Sequence, residues 1–130
     1  EKLPATLSYR LMTGLLREEL GFQGVAVSDA LDMGAIARNF TPAEAIERAL
    51  NAGIDLMIMP LHPEVAVAAL KEAVRSGRVS ETRLDQAVGR ILTLKERLAA
   101  SDSAPATVEL SRLPELLNTP EHQQVALEAA

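Results

Sequence analysis

The chain has 130 residues, of which 48% are hydrophobic and 24% charged, a composition typical of a globular domain or of part of a larger one. The net charge of −5 and the small number of aromatic residues argue against a nucleic-acid surface, which needs a basic face and aromatic platforms. No apolar run approaches the roughly 20 residues of a membrane span. The chain is therefore expected to be soluble, and its compartment, cytoplasmic or exported, stays open.

A helix and a short strand are predicted near the start of the chain. Four leucines recur at helical spacing and predict a helix over residues 8–20, and Gly21 follows where a left-handed residue commonly ends one. Residues 24–27 form a short apolar run that is typical of a strand buried on both faces of a parallel sheet. This strand is predicted to end at Ser28 and Asp29.

A second helix and strand follow. Thr41, Pro42 and Glu44 predict a strong helix start, with a hydroxyl at the N-cap, proline at the first helical position and a glutamate that completes a capping box. The helix is predicted to run to about Asn51. Residues 54–59 then indicate a second buried strand.

The rest of the chain is predicted to contain helices without further strands. One helix is predicted over residues 63–76 and another over residues 81–98. Residues 99–119 are small, polar and proline-punctuated at first and then weakly patterned, which is typical of a linker. A last helix is predicted to begin at Pro120.

This order of elements predicts an α/β fold: the C-terminal βα units of a (β/α)8 TIM-type barrel, incomplete in this chain. Two strands cannot cover both faces of a parallel sheet, and such a barrel needs eight strands. Residues 1–98 are predicted to be the last strands and helices of the barrel, residues 99–119 a linker, and residues 120–130 the start of a second domain. The earlier strands would precede Glu1, so the segment is expected to contact the rest of the barrel or to self-associate.

Asp29 is the first candidate for chemistry. It lies where the first apolar run ends, and in a β/α barrel the carboxyl ends of the strands carry the catalytic groups. A carboxylate in that position can act as a nucleophile. The structural alternative is that Ser28 or Asp29 caps a short helix beginning at Ala30, and the two roles can coexist. Asp32, three residues further on, is expected to be solvated or to cap a helix.

Asp55 and the two histidines are weaker candidates. A structural role is favoured for Asp55, with a basic or backbone partner, because burying an unpaired carboxylate costs several kcal/mol. His62 lies just past the second strand, on the same edge as Asp29, where it faces either solvent or substrate. His122 is expected at the surface of the last helix.

No metal or phosphate site is predicted, because the sequence lacks the usual spacings of histidine, cysteine, acidic or glycine-rich motifs. No cofactor is expected either. The mixed charges of the later helices predict solvated faces, which would include Arg75, Arg78, Arg83, Arg90 and Arg97.

Five stretches of the chain resemble family-three glycoside hydrolases. They are Pro4-Ala-Thr-Leu-Ser8 with the residues 15–24 that follow it, Val27-Ser-Asp-Ala-Leu-Asp-Met-Gly-Ala-Ile36, and residues 49–56 with 79–92. The resemblance covers roughly residues 4–98. A weaker similarity over residues 121–126 is to the opening helix of the family's second, sandwich-like domain.

The resemblance implies a retaining glycoside hydrolase in which Asp29 attacks the anomeric carbon and forms a covalent glycosyl-enzyme. The Ser-Asp-Ala-Leu-Asp-Met wording, with Met33, resembles the β-N-acetylglucosaminidase branch. It implies a small carbohydrate substrate, a terminal β-linked N-acetylglucosaminide from cell-wall muropeptides or chitin fragments, with Met33 and His62 as candidate substrate contacts.

One departure from the branch concerns the general acid/base. In the branch this is a histidine paired with an aspartate in a Lys-His-Phe-Pro-Gly-His-Gly-Asp motif, which these 130 residues lack, and neither His62 nor His122 matches it. The segment alone is therefore expected to be essentially inactive. The alternatives are a β-glucosidase or β-xylosidase, an N-acetylglucosaminide phosphorylase of the same family, and a non-catalytic sugar-binding homologue.

Overall fold

The chain folds as an α/β protein, mostly helical with a small parallel sheet, in a computed structural model that describes residues 3–60, 62–100 and 109–129. It divides into two compact units, Glu1–Leu98 and Ala99–Ala130. From the start of the described residues the elements are a 3₁₀ turn (Ala5–Leu7), a π-helix (Arg10–Glu19), β1 (Val27–Ala30), α1 (Gly34–Ala37), α2 (Pro42–Ala52), β2 (Leu56–Ile58), α3 (Pro63–Arg75) and α4 (Glu81–Ala99).

The second unit contains short helical segments. They are a 3₁₀ turn (Leu110–Arg112), α5 (Leu113–Leu116) and α6 (Pro120–Glu128). Residues 101–108, which belong to the predicted linker, lie outside the described residues. The assignment of residues 99–119 as a linker and of residues 120–130 as the start of another domain stays a prediction. No helix in the described ranges is both long enough and apolar enough to cross a membrane.

The predicted helices over residues 41–51, 63–76 and 81–98 are confirmed by α2, α3 and α4. The helix predicted over residues 8–20 is present, but it is wound as a π-helix: at its end Leu20 N–H donates to the carbonyl of Leu15, five residues back, at 2.9 Å.

The first strand differs from its prediction in position. It begins at Val27, not at Gly24, and it contains Ser28 and Asp29. Of the predicted apolar run, only Val27 belongs to the strand, because pairing with β2 starts at that residue.

The two strands pair in parallel with a shift in register. Val27 pairs with Leu56 and Ala30 with Ile58, so β1 has two residues, Ser28 and Asp29, where β2 has one. This arrangement is a β-bulge, in which one strand has an extra residue and the ladder is locally interrupted. The bulge lies at the carboxyl end of the sheet.

Helix α2 packs against the sheet through small and branched side chains. Ala45, Ile46 and Ala49 are buried with Ala26 and Leu31, which flank β1, and Met57 of β2 packs against this cluster. Leu50 lies in a second core cluster with residues of α3 and α4. Helix α2 therefore holds both clusters together. It ends at Ala52, and the C-cap residue is Gly53, whose φ of 121° favours glycine and where a Cβ would lie 2.8 Å from the hydroxyl oxygen of Thr13.

The opposite face of the sheet is exposed, which corrects the prediction of strands buried on both faces. Val27, Leu56 and Ile58 are 40–48% exposed. Strand side chains alternate between faces, and the described elements of the first unit pack only against the face that α2 covers.

The predicted capping box at the start of α2 is confirmed. Glu44 N–H donates to Thr41 Oγ1 at 3.3 Å, and Thr41 N–H donates to Glu44 Oε2 at 2.9 Å. The hydrogen bond from the Thr41 backbone, and after it the bond from the Thr41 hydroxyl, lowers the pKa of the Glu44 carboxyl.

This lowered pKa predicts how the stability of the chain depends on pH. The contribution of the ionised Glu44 is fully present above its ordinary pKa of 4.5 and is lost as pH falls through the lowered value in the folded state. Glu44→Gln should therefore reduce the free energy of unfolding at neutral pH, and the difference from the parent chain should shrink on acidification. Urea unfolding at a series of pH values measures it.

Glu81→Gln is the matched control for Glu44→Gln. Glu81 lies in the first turn of α4 and feels the same helix dipole, but among the described residues it makes no hydrogen bond to a capping residue. An equal and parallel pH dependence for the two variants would show that the capping bonds of Glu44 contribute nothing.

Candidate active site

Asp29 lies at the bulge in β1, near the carboxyl end of the strand, and its side chain is exposed. Its Oδ1 accepts a hydrogen bond from Ala30 N–H at 2.7 Å. The structural alternative, a helix that begins at Ala30 and is capped by Ser28 or Asp29, is wrong: α1 begins at Gly34, after Met33 at its N-cap position. Ala30 instead continues the strand, because it pairs with β2.

Ser28 points the other way and is buried. Its Oγ accepts a hydrogen bond from Ile58 N–H of β2 at 3.0 Å. The residue directly before Asp29 is therefore hydrogen-bonded to the neighbouring strand. Asp32 is exposed, as expected, in the turn after β1.

Met33 and His62 lie beyond the ends of β1 and β2, on the same edge as Asp29. Met33 is exposed at the start of α1, and His62 occupies the N-cap position of α3, where its Nδ1 lies 3.5 Å from Glu64 Oε1. Within the described residues, no hydrogen bond or ion pair joins either side chain to Asp29. The substrate-binding role of Met33 and His62 stays a prediction.

The Asp55 carboxylate is buried and bound by both kinds of partner that were expected, basic side chains and a backbone N–H. Its side chain is 0% exposed and lies just before β2. Oδ2 accepts from Arg17 Nη2 at 2.5 Å and from Ala26 N–H at 3.0 Å, while Oδ1 accepts at 3.0 Å from both Arg83 Nη2 and Arg90 Nη1. We call Asp55, Arg17, Arg83 and Arg90 the Asp55 cluster.

Two members of this cluster correct the prediction of solvated arginines on α4. The side chains of Arg83 and Arg90 are only 14% and 27% exposed, and both bind Asp55. The missed signal is their spacing: Arg83, Ala87 and Arg90 follow at three to four residues and share one face of α4, with the buried Ala87 between the two arginines. Arg78, by contrast, is half-exposed and pairs with Glu47.

Backbone carbonyls balance the excess positive charge of the Asp55 cluster. Arg17 Nη1 donates to the carbonyls of Phe22 and Gly24, at 3.0 and 2.7 Å. Arg83 donates to the carbonyls of Leu50 and Ile54, at 2.8 and 2.6 Å. Burial is the largest cause that lowers the pKa of Arg83, and the hydrogen bond to Asp55 opposes it. An arginine stays protonated under such conditions, so Arg83 keeps its charge beside Asp55.

Comparison with known proteins gives the family. Residues 1–94 match the glycosyl hydrolase family 3 N terminal domain. The chain is 36% identical over 136 residues to β-hexosaminidase A of Pseudoalteromonas piscicida, an alignment that covers 98% of this chain and 22% of that protein. This chain belongs to glycosyl hydrolase family 3.

Solved structures agree with this assignment. A family 3 β-N-acetylglucosaminidase from Paenibacillus sp. str. FPU-7 is 45% identical, with a TM-score of 0.75 over 85% of this chain and 22% of that one. The β-glucoside phosphorylase BglX is 31% identical, with a TM-score of 0.82 over 96% of this chain and 22% of that one. The chain thus spans about a fifth of the length of the proteins that it matches.

The Asp55 cluster predicts a large cost for one small substitution. Asp55→Asn removes the charge that faces three arginines and should lower the free energy of unfolding by about 3–5 kcal/mol, the usual cost of leaving a buried charge without its partner. Chemical denaturation followed by circular dichroism measures the loss.

Asp85→Asn provides the control, because Asp85 is exposed on α4 and has no ion pair among the described residues. Its effect should stay within about 0.5 kcal/mol. If Asp55→Asn cost no more than Asp85→Asn, the cluster would not be a stabilising element.

Proposed function

We propose that this chain supplies the nucleophile-bearing part of a retaining β-N-acetylglucosaminidase, with Asp29 as the nucleophile. The central observation is the exposed Asp29 carboxylate at the carboxyl end of β1, the edge of a parallel sheet where β/α enzymes place their catalytic groups. Similarity to β-hexosaminidase A and to a family 3 β-N-acetylglucosaminidase supports the N-acetyl sugar as the substrate class.

The proposed reaction has two steps. An oxygen of Asp29 bonds to the anomeric carbon while the bond from that carbon to the leaving oxygen breaks, and the leaving oxygen takes a proton from a general acid. Water then attacks the same carbon, its proton passes to the conjugate base, and the bond to Asp29 breaks. Two inversions give net retention of configuration.

The proton donor of the first step does not come from these 130 residues. The histidine–aspartate motif that the resemblance implies is absent from the sequence, and His62 is an exposed residue beside Glu64. Loss of general acid catalysis typically costs about 10²- to 10⁴-fold in rate. The segment by itself is therefore proposed to be essentially inactive.

We also infer that residues 1–98 are the closing part of a (β/α)8 barrel. The parallel pairing of β1 and β2 and the exposed apolar residues Val27, Leu56 and Ile58 support this, since each strand of a closed barrel is covered on both faces. Met33 and His62, beyond the ends of the two strands, are proposed to contact the sugar. Residues 99–119 would connect this barrel to a second domain that starts near residue 120.

Covalent trapping tests the nucleophile. The complete gene product should react with a 2-deoxy-2-fluoro or 5-fluoro glycosyl fluoride to give a mass increase of one sugar, and peptide mapping should place it on Asp29. Asp29→Asn should lower kcat by about 10⁴- to 10⁶-fold, the scale of losing a nucleophile. Asp32→Asn, an exposed carboxylate three residues away, should retain activity.

The outcomes separate the alternatives. Turnover of an aryl N-acetylglucosaminide with the label on another residue would reassign the nucleophile, while neither label nor turnover would favour a sugar-binding homologue. Similarity to a β-glucoside phosphorylase makes phosphate the necessary comparison. A sugar 1-phosphate formed only when phosphate is present would identify a phosphorylase, and preference for aryl glucosides or xylosides would identify the other substrate classes.

The exposed face of the sheet predicts different effects of one substitution in the 130-residue chain and in the complete protein. The 130-residue chain alone should self-associate with concentration, and Ile58→Thr should weaken this association because it replaces an exposed apolar side chain. In the complete protein the same change should instead lower the free energy of unfolding, by about 1–3 kcal/mol, because Ile58 would be buried there. Sedimentation velocity and denaturant unfolding measure the two effects.

Leu127→Thr is the control, since Leu127 is an exposed apolar residue of α6 in the second unit. It should weaken the self-association of the 130-residue chain less than Ile58→Thr does. A monodisperse monomer with sharp two-state melting would contradict the incomplete-barrel proposal.

A further inference from the structure

Ser28 is a polar residue in an apolar core. It is 4% exposed, and the buried residues nearest to it in sequence, Ala26 and Leu31, belong to the core beneath α2. A hydroxyl in such a position costs free energy unless it is hydrogen-bonded. An alanine would fill the site without that cost, so the oxygen of Ser28 needs a specific explanation.

The explanation lies across the sheet. Ser28 Oγ accepts from Ile58 N–H at 3.0 Å, at the step where β1 carries its extra residue. On the other side of the same residue, the Ile58 carbonyl accepts from Leu31 N–H at 3.1 Å. Ile58 is therefore bonded on both sides of the bulge, once by a side chain and once by the backbone.

The chain leaves β2 in an uncommon conformation immediately after Ile58. Met59 has a φ of 45°, a left-handed value that costs a residue other than glycine on the order of 1–3 kcal/mol. Such strain persists only where surrounding contacts fix the backbone. The hydrogen bonds to Ile58 are contacts of this kind, and they fix the end of β2 beside Asp29.

We propose that Ser28 is a positioning residue: its bond to Ile58 N–H holds the β-bulge that directs the Asp29 carboxylate out of the carboxyl edge of the sheet. Side-chain direction along a strand depends on register, and a slip of one residue turns a side chain to the other face. Ser28 is buried and Asp29 is exposed, and the bond from Ile58 N–H fixes the residue directly before Asp29. Ser28 does not touch the substrate, and the proposal rests on Asp29 being the nucleophile.

Ser28→Ala in the complete gene product tests the idea. Removing the oxygen frees the bulge to shift, and a displacement of about 1 Å at a reacting group typically costs about 10²-fold in rate. We expect the rate of Asp29 labelling by the fluoro-sugar to fall by about 10- to 100-fold. The inhibition constant for free N-acetylglucosamine should change little, because Asp29 and not sugar binding is disturbed.

Two further variants separate positioning from packing and from stability. Ser28→Cys keeps a side chain of similar shape with a poor acceptor and should behave like Ser28→Ala. Ser80→Ala removes the serine that caps α4, where Arg83 N–H donates to Ser80 Oγ at 3.1 Å, and should cost about 1 kcal/mol of stability with no change in labelling rate.

The outcomes distinguish this inference from the proposed function. If Asp29 is labelled in the parent enzyme and Ser28→Ala labels at the parent rate, the positioning role is overturned and the nucleophile stands. Restoration of the rate by Ser28→Cys, or an equal loss in Ser80→Ala, would also overturn it. If the parent enzyme carries no label on Asp29, the proposed function itself fails.

Discussion

The buried carboxylate of Asp55 is the interaction on which the rest of the first unit depends. It accepts four hydrogen bonds, three from arginines and one from the backbone at Ala26. The arginines come from the π-helix and from α4, segments far apart in sequence, and they meet at the start of β2. A buried charge without a partner at this position would be costly. The bonds between Asp55 and the arginines therefore fix the π-helix and α4 against the start of β2.

The sheet has a different carboxylate at each end, and their surroundings suit opposite tasks. Asp55, at the amino end, has both oxygens occupied and no exposure, which leaves it no capacity for a substrate. Asp29, toward the carboxyl end, is exposed and accepts from the neighbouring Ala30 N–H. In β/α enzymes the amino ends of the strands serve stability and the carboxyl ends serve chemistry. The structural role of Asp55 and the role proposed for Asp29 match this division.

Local features were predictable from the sequence and long-range ones were not. The capping box of Thr41 and Glu44 and the ends of the later helices follow from neighbouring residues, whose interactions form wherever the helix forms. The pairing of Arg83 and Arg90 with Asp55 depends on how α4 docks against the sheet, which charge spacing does not specify. The bulge at Asp29 was missed for the same reason, since register is a property of two strands. The position of Asp29 at the end of the first apolar run made it a candidate, and resemblance to a family gave it the role of nucleophile.

Two deficits of the proposed barrel segment have a common remedy. One face of β1 and β2 is apolar and exposed, and the sequence lacks the histidine–aspartate motif that would supply the proposed general acid. In a closed (β/α)8 barrel, the strands that cover this face also carry the loops that surround the carboxyl edge. The same strands would therefore bury Val27 and Ile58 and bring the proton donor to Asp29. Under these proposals, catalytic competence and completion of the core are one structural event, in which the bond from Ile58 N–H to Ser28 would keep Asp29 aligned.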